Sequence, residues 1–135
     1  MTSASQDPQT PEIAAFFSPT FRTPSEIATA GVVFLPAFGN CTAFICDNRI
    51  LLVDTAARWS ARRVVEGLRS HSQATIDAII YTHGHIDHTA GAAAFLADAE
   101  ARGHPRPRIV AHRDLPARFD RYRLLGPQND FINRV

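Results

Sequence analysis

The stretch from Tyr81 to Gly91, "YTHGHIDHTAG", decides how the rest of the sequence is interpreted. Six consecutive positions hold three of the chain's six histidines and one aspartate: His83, His85, Asp87 and His88. The stretch follows an Ile-rich apolar run that predicts a buried strand, and it precedes an Ala-rich segment that predicts a helix. Because ligand sites of open α/β sheets gather at the C-terminal ends of strands, a functional site is expected at this junction.

The spacing of the four side chains predicts a metal site. His83 and His85 are two residues apart, so they project to the same side of an extended segment, and Asp87 and His88 follow where the helix begins. Imidazole nitrogen and carboxylate oxygen suit zinc, and also iron or manganese. Four such donors predict the start of two neighbouring metal sites. Alternatively, each histidine is an ordinary surface residue and Asp87 caps the helix, which explains the residues singly but not their convergence.

The flanking segments predict an α/β fold with a mixed sheet and flanking helices. Three short antiparallel strands come first, and helix, strand, helix, strand and helix follow. The predicted strands are "GVVFLPAF", "CTAFIC", "RILLVDT", "IDAIIYT" and "RIVAH". Helices are predicted over 61–70, capped by Ser60, over 89–102, and from 114 to about 124, ended by Gly126-Pro127. Residues 1–28 are expected to form a flexible N-terminal arm, and residues 29–135 a single domain.

Composition limits the classes of function. The net charge of +1 gives no general indication of nucleic-acid or membrane binding. No apolar run approaches the roughly 20 residues of a membrane span, and no secretory signal is visible, so a cytoplasmic location is expected. All 14 basic residues are Arg, which excludes lysine nucleophiles. Eight of them follow residue 101, where the ordinary interpretation is a solvated surface and the alternative is a site for an anionic substrate or RNA.

The two cysteines, Cys41 and Cys46, are five residues apart on one predicted strand. They are expected to face opposite sides of the sheet, which disfavours a disulfide or a shared zinc site. Buried free thiols are therefore predicted.

The segment "THGHIDH" resembles the H-x-H-x-D-H signature of the metallo-β-lactamase superfamily. The resemblance extends over roughly Ala30 to His112, through the Gly39-Asn40 turn, "LLVDTA" and the Ala-rich helix. It implies the N-terminal half of an αββα sandwich that carries a dinuclear metal centre. It also implies a zinc-dependent hydrolase with two zinc ions per complete site, and iron or manganese are the alternative metals. The tail from Ala117 to Val135 loosely resembles the segment after the signature in alkyl-sulfatase-like members.

The resemblance also implies roles for individual residues. His83 and His85 resemble ligands of the first metal, and Asp87 and His88 resemble ligands of the second. Asp87 is further expected to orient the attacking water or take its proton. Asp54, at a strand end, is expected to hydrogen-bond a ligand histidine and fix its tautomer.

The family pattern implies further ligands downstream, including a third histidine and a bridging aspartate. Only His104 and His112 follow the signature; His104 is expected to be exposed, and His112 is a weak ligand candidate near the site. The sequence therefore predicts a truncated domain without its C-terminal half. The sheet face left exposed is expected to be covered by a homodimer or by the missing half.

The implied function is metal-dependent hydrolysis of a small-molecule ester, thioester, lactone or sulfate ester by activated water. Two alternatives stay open: an incomplete, catalytically inactive fragment with a partial metal site, and an RNA-processing relative. Neither membrane nor nucleic-acid partners are expected for the hydrolase.

Overall fold

The computed structural model describes residues 25–26 and 31–132, with side chains from 31 to 126. Six strands form one sheet in chain order: β1 (Ser25–Glu26), β2 (Val32–Leu35), β3 (Cys41–Cys46), β4 (Arg49–Val53), β5 (Thr75–Ile80) and β6 (Arg108–Val110). Strands β1 to β4 pair antiparallel, and β5 and β6 continue parallel to β4. The predicted α/β fold with a mixed sheet is confirmed.

Within the described residues, four helices accompany the sheet: α1 (Ala61–His71), α2 (Ile86–Thr89), α3 (Ala92–Ala101) and α4 (Leu115–Ile132). The single helix predicted over 89–102 is wrong, because the helix is interrupted at residues 90–91, where the backbone N–H of Gly91 donates to the carbonyl of Ala56. The predicted end of the last helix at Gly126-Pro127 is also wrong. Pro127 removes one backbone donor, and the helix continues without that hydrogen bond.

The hydrophobic core lies between one face of the sheet and two helices. In register across β2 to β5, the residues on this face are Val33, Ala43, Leu52 and Ile79, all buried. Helices α1 and α3 contact each other and cover this face, with buried apolar side chains that include Leu68 and Phe95. Each large side chain buried in this way contributes about 1.5–3 kcal/mol.

Local details follow from backbone conformation. Asp47 and Asn48 have φ of 45° and 62°, as the tight turn predicted between β3 and β4 requires. Ser60 precedes α1 as predicted, but it does not cap the helix: its own backbone is already helical, and its hydroxyl donates to the carbonyl of Ala57. Both cysteines are free; Cys41 is buried, whereas the prediction that Cys46 is buried is wrong, because it lies at the exposed end of β3.

The predicted N-terminal arm lies mostly outside the described residues. Its two described residues, Ser25–Glu26, form β1 and pair with Phe34 and Val33 of β2. The flexibility of residues 1–28 and the bounds of the domain stay predictions. None of the helices in the described ranges is both long and apolar enough to cross a membrane.

Candidate metal centre

The predicted ligands converge where two parallel strands end. Val53, the last residue of β4, pairs with Ile80, the last residue of β5. The chain leaves both strands in the same direction, and the backbone N–H of Asp54 donates to the carbonyl of Ile80 at 2.8 Å. Asp54 and the loop that carries the histidines therefore begin side by side.

The side chains of this loop and of α2 form two donor pairs. The Nε2 atom of His83 lies 3.0 Å from Nδ1 of His85. The Nε2 atom of His88 lies 3.5 Å from Oδ2 of Asp87. The rings of His83 and His88 have centroids 4.2 Å apart, so the two pairs are neighbours. The structure thus brings together all four residues that the sequence singled out.

The donor set fits zinc in part. With Zn–N distances of about 2.0–2.1 Å, two tetrahedral ligand atoms lie about 3.3 Å apart. The separations of 3.0 Å and 3.5 Å come within a few tenths of an ångström of that value. Each pair therefore suits two positions of a tetrahedral ion. Within residues 25–26 and 31–132, no group of three or more His, Cys, Asp or Glu side chains is arranged to hold one ion.

The Asp54 carboxylate organises both pairs. Its Oδ2 lies 2.7 Å from Nδ1 of His88, so the tautomer that satisfies this bond carries its proton on Nδ1 and leaves Nε2 as an electron-pair donor. The Thr82 hydroxyl also donates to Oδ2, at 2.7 Å, and its oxygen lies 2.9 Å from Nδ1 of His83. Having given its proton to the carboxylate, that oxygen accepts from His83 Nδ1, and His83 Nε2 then carries no proton.

Thr82 belongs to the same hydrogen-bond network, although the sequence did not predict it as a site residue. Its backbone N–H donates to Oδ1 of Asp54 at 2.8 Å, in addition to its two hydroxyl contacts. The signal in the sequence is a hydroxyl residue directly before the first histidine of the cluster.

The loop that carries Asp54 is strained and firmly held. Asp54 and Ala56 have φ of 61° and 60°, a left-handed conformation that costs non-glycine residues roughly 1–3 kcal/mol each. Thr55 between them donates to the carbonyl of His88 through both its backbone N–H, at 2.8 Å, and its hydroxyl, at 3.0 Å. Strain kept in place by such contacts is typical of functional sites.

The β2–β3 loop packs closely against Asp87. Gly39, in the β2–β3 loop, has φ of 80°, and a Cβ there would collide with the carbonyl oxygen of Asp87. The same Cβ would lie 3.0 Å from the Cβ of Asp87. The sequence predicted a turn at Gly39-Asn40 but not this contact, because the approach depends on tertiary packing.

The other histidines and the buried thiol lie outside the donor set. His112 is exposed after β6, and its Nδ1 accepts from the backbone of Asp114. His104, predicted to be exposed, is only half-exposed, and its buried Nδ1 meets no hydrogen-bond partner in the described part of the chain. Burial, and next the charge of Asp54, raises the pKa of Cys41, so this residue stays a neutral thiol rather than a thiolate ligand.

Comparison with known proteins identifies the family. The family model of the metallo-beta-lactamase superfamily matches residues 35–128, which include Asp54 and all four donors. The chain belongs to the metallo-beta-lactamase superfamily. No curated protein shows a significant match to the sequence.

Solved structures of this superfamily share the fold. A B3 metallo-beta-lactamase with an active-site glutamic acid matches with a TM-score of 0.55 at 22% identity, over 76% of this chain and 36% of its own. A double mutant of the sec-alkyl sulfatase PisA1, an enzyme of Pseudomonas sp., matches with a TM-score of 0.55 at 24% identity. This match covers 70% of this chain and 15% of the sulfatase chain. A metallo-beta-lactamase of Cronobacter sakazakii matches with a TM-score of 0.54 at 19% identity, over 68% of this chain and 35% of its own.

This superfamily member therefore spans about a third of the two β-lactamases and about a seventh of the sulfatase. At identities below 25% the similarity establishes the fold alone. The neighbours are hydrolases of two kinds, β-lactamases and an alkylsulfatase, so they do not single out one reaction.

Proposed function

We propose that this chain carries the first half of a dinuclear zinc centre and serves a hydrolase that acts on an ester, thioester, lactone or sulfate ester. The proposal rests on two neighbouring donor pairs, His83 with His85 and Asp87 with His88. The donor atoms of each pair lie 3.0 Å and 3.5 Å apart, which suits one ion per pair. Superfamily membership and the hydrolytic neighbours support it.

Each residue has a distinct task in this proposal. His83 and His85 would hold one ion, and Asp87 and His88 a second. A divalent ion held there supplies Lewis-acid activation of water and of the substrate oxygen. The Asp87 carboxylate, about a quarter exposed, is placed to orient the attacking water and to accept its proton.

Asp54 keeps the donors ready. It holds the Nδ1 proton of His88 directly and that of His83 through Thr82, so both Nε2 atoms present electron pairs. Neither ring then has to change tautomer before it coordinates an ion. Residues in this supporting position typically account for 10–100-fold in metal affinity.

A catalytically inactive chain with a partial metal site is a second candidate. The observation that favours it is the absence of a three-donor group within the described residues, since catalytic zinc sites use three protein ligands. The two candidates differ in metal content. Two tightly held ions per chain with turnover indicate the hydrolase, and at most one weakly held ion without turnover indicates the partial site.

Metal analysis and a hydrolysis assay on the purified 135-residue chain test the proposal. Asp87→Ala is expected to abolish turnover of 4-nitrophenyl acetate and 4-nitrophenyl sulfate and to reduce bound zinc, because it removes a donor and the proton acceptor. Asp120→Ala, which removes an exposed carboxylate on α4, is the matched control and should leave both unchanged. Undiminished turnover in the Asp87 variant would refute the assignment.

A further inference from the structure

An exposed aromatic pair is carried by two loops that contact the segment with the donors. The rings of Phe38 and Trp59 have centroids 5.5 Å apart and planes inclined by 37°. Trp59 is 71% exposed and Phe38 is 43% exposed. Large aromatic side chains are usually buried for most of their surface. Two exposed rings in mutual contact therefore offer an apolar surface on which a ligand can bind.

Phe38 lies on the β2–β3 loop and Trp59 on the β4–α1 loop, and both loops contact the segment with the donors. Phe38 directly precedes Gly39, which packs against Asp87, and the Phe38 carbonyl accepts from the backbone N–H of Ala57 at 2.9 Å. Trp59 follows in the same β4–α1 loop as Asp54, whose carboxylate binds Thr82 and His88. Contacts that order the donors therefore also fix the aromatic pair at the edge of the site.

A third apolar side chain lies among the donors, at the first residue of α2. Ile86 stands between His85 and Asp87 and is 51% exposed. The two loops that contact the donor segment, and α2 itself, thus each present one exposed hydrophobic residue. We call Phe38, Trp59 and Ile86 the apolar rim.

We propose that the apolar rim is a subsite for a hydrocarbon or aromatic group, joined to the polar group that reacts at the donors. The inference rests on the proposed function for calling this molecule a substrate. Polar donors flanked by apolar surface complement an amphiphilic molecule, whose ring or chain stacks on Phe38 and Trp59. Substrates with only a short polar acyl group leave the rim exposed to water and are discriminated against.

The chain provides its own reporter, because Trp59 is its only tryptophan. We expect 4-phenylbutyrate to change Trp59 fluorescence saturably, and to bind roughly tenfold or more tightly than butyrate, which carries the same carboxylate. The titration is made with zinc and again with a chelator. The preference for the phenyl compound is expected in both, because the rim residues are not metal ligands.

Two variants test the assignment. Phe38→Leu removes the aromatic partner but keeps an apolar side chain and should reduce the preference severalfold, whereas Leu124→Ala, at an 82% exposed position on α4, should not. Circular dichroism confirms folding, and calorimetry on Trp59→Phe supplies a measurement independent of fluorescence.

Equal binding of the two probes by the parent chain, or an unchanged preference in Phe38→Leu, overturns the inference. A preference for the phenyl compound without bound metal or turnover retains the subsite and removes the hydrolase proposal. The two failures are therefore distinguishable.

Discussion

Asp54 shows how much of the centre depends on one residue. Its carboxylate accepts hydrogen bonds from the Thr82 backbone, the Thr82 hydroxyl and His88 at 2.7–2.8 Å. Its left-handed backbone turns the chain immediately after β4, so the side chain lies next to the start of the donor loop. Strain at this residue is offset by the hydrogen bonds that it makes possible.

Gly39→Ala should disturb the centre without touching a donor. A Cβ at this position meets the backbone of Asp87, and the positive φ disfavours alanine. We expect a loss of about 2–4 kcal/mol in the free energy of unfolding, together with weaker zinc binding. Chemical denaturation and a zinc titration measure the two effects.

Gly103→Ala is the matched control for that substitution. Gly103 also has a positive φ, of 66°, but a Cβ there meets nothing within 4 Å. It should cost about 1 kcal/mol and leave zinc binding unchanged. Similar losses in the two variants would show that backbone strain alone, and not the contact with Asp87, makes Gly39 necessary.

At the scale of elements, one buried ion pair joins the two helices that cover the core. The Arg69 guanidinium of α1 contacts Asp98 of α3 at 2.6 Å, and their side chains are 7% and 11% exposed. Arg69 also donates to the carbonyls of Ser72 and Ala74. The pair fixes how α1 packs against α3 over the core face of the sheet.

The stability of this helix pair is expected to depend on pH. Burial acts to raise the pKa of Asp98, but hydrogen bonds and charge from Arg69 and Arg102 outweigh it and hold the pKa below its usual range. The stabilisation is therefore complete above the carboxyl pKa of the unfolded chain, about 3.9, and is lost as pH falls through the lower native pKa.

Asp98→Asn tests this assignment. At pH 7 it should lower the free energy of unfolding by about 2–3 kcal/mol, because Arg69 keeps a buried charge without its counter-ion. The difference from the parent should shrink in acid. Glu66→Gln, in the exposed pair with Arg62, is the control and should change stability by about 0.5 kcal/mol or less. A difference independent of pH would contradict the ion-pair explanation.

At the scale of the whole molecule, the second face of the sheet is apolar and partly exposed. Phe44 pairs in register with Leu51 across β3 and β4, and these side chains are 43% and 36% exposed. Val110 of β6 is 45% exposed on the same face. The helices α1 and α3 cover only the other face.

We expect the purified 135-residue chain to self-associate through this face. Sedimentation velocity over the micromolar range should show concentration-dependent association, because burying the face removes apolar surface from water. Leu51→Lys should weaken it, whereas Leu124→Lys, on α4, should not. A well-dispersed monomer at every concentration would contradict the prediction.

The sequence determined the features that rest on local pattern. Alternating apolar residues and turn residues predict the meander of β2 to β4, and the Ile-rich run predicts β5, since side-chain period and turn chemistry are local properties. The candidate ligands from His83 to His88 are predictable for the same reason, since four side chains of metal-binding types within six residues need no fold to bring them close.

Only the tertiary structure decided what depends on contacts between distant segments. Examples are the hydrogen bond between the Thr82 hydroxyl and His83, and the close backbone approaches of Gly39 to Asp87 and of Gly91 to Thr55. The aromatic partnership of Phe38 and Trp59 belongs with them. These contacts join residues up to 48 positions apart, from Gly39 to Asp87, so they follow from the pairing of strands and the packing of loops rather than from any local pattern.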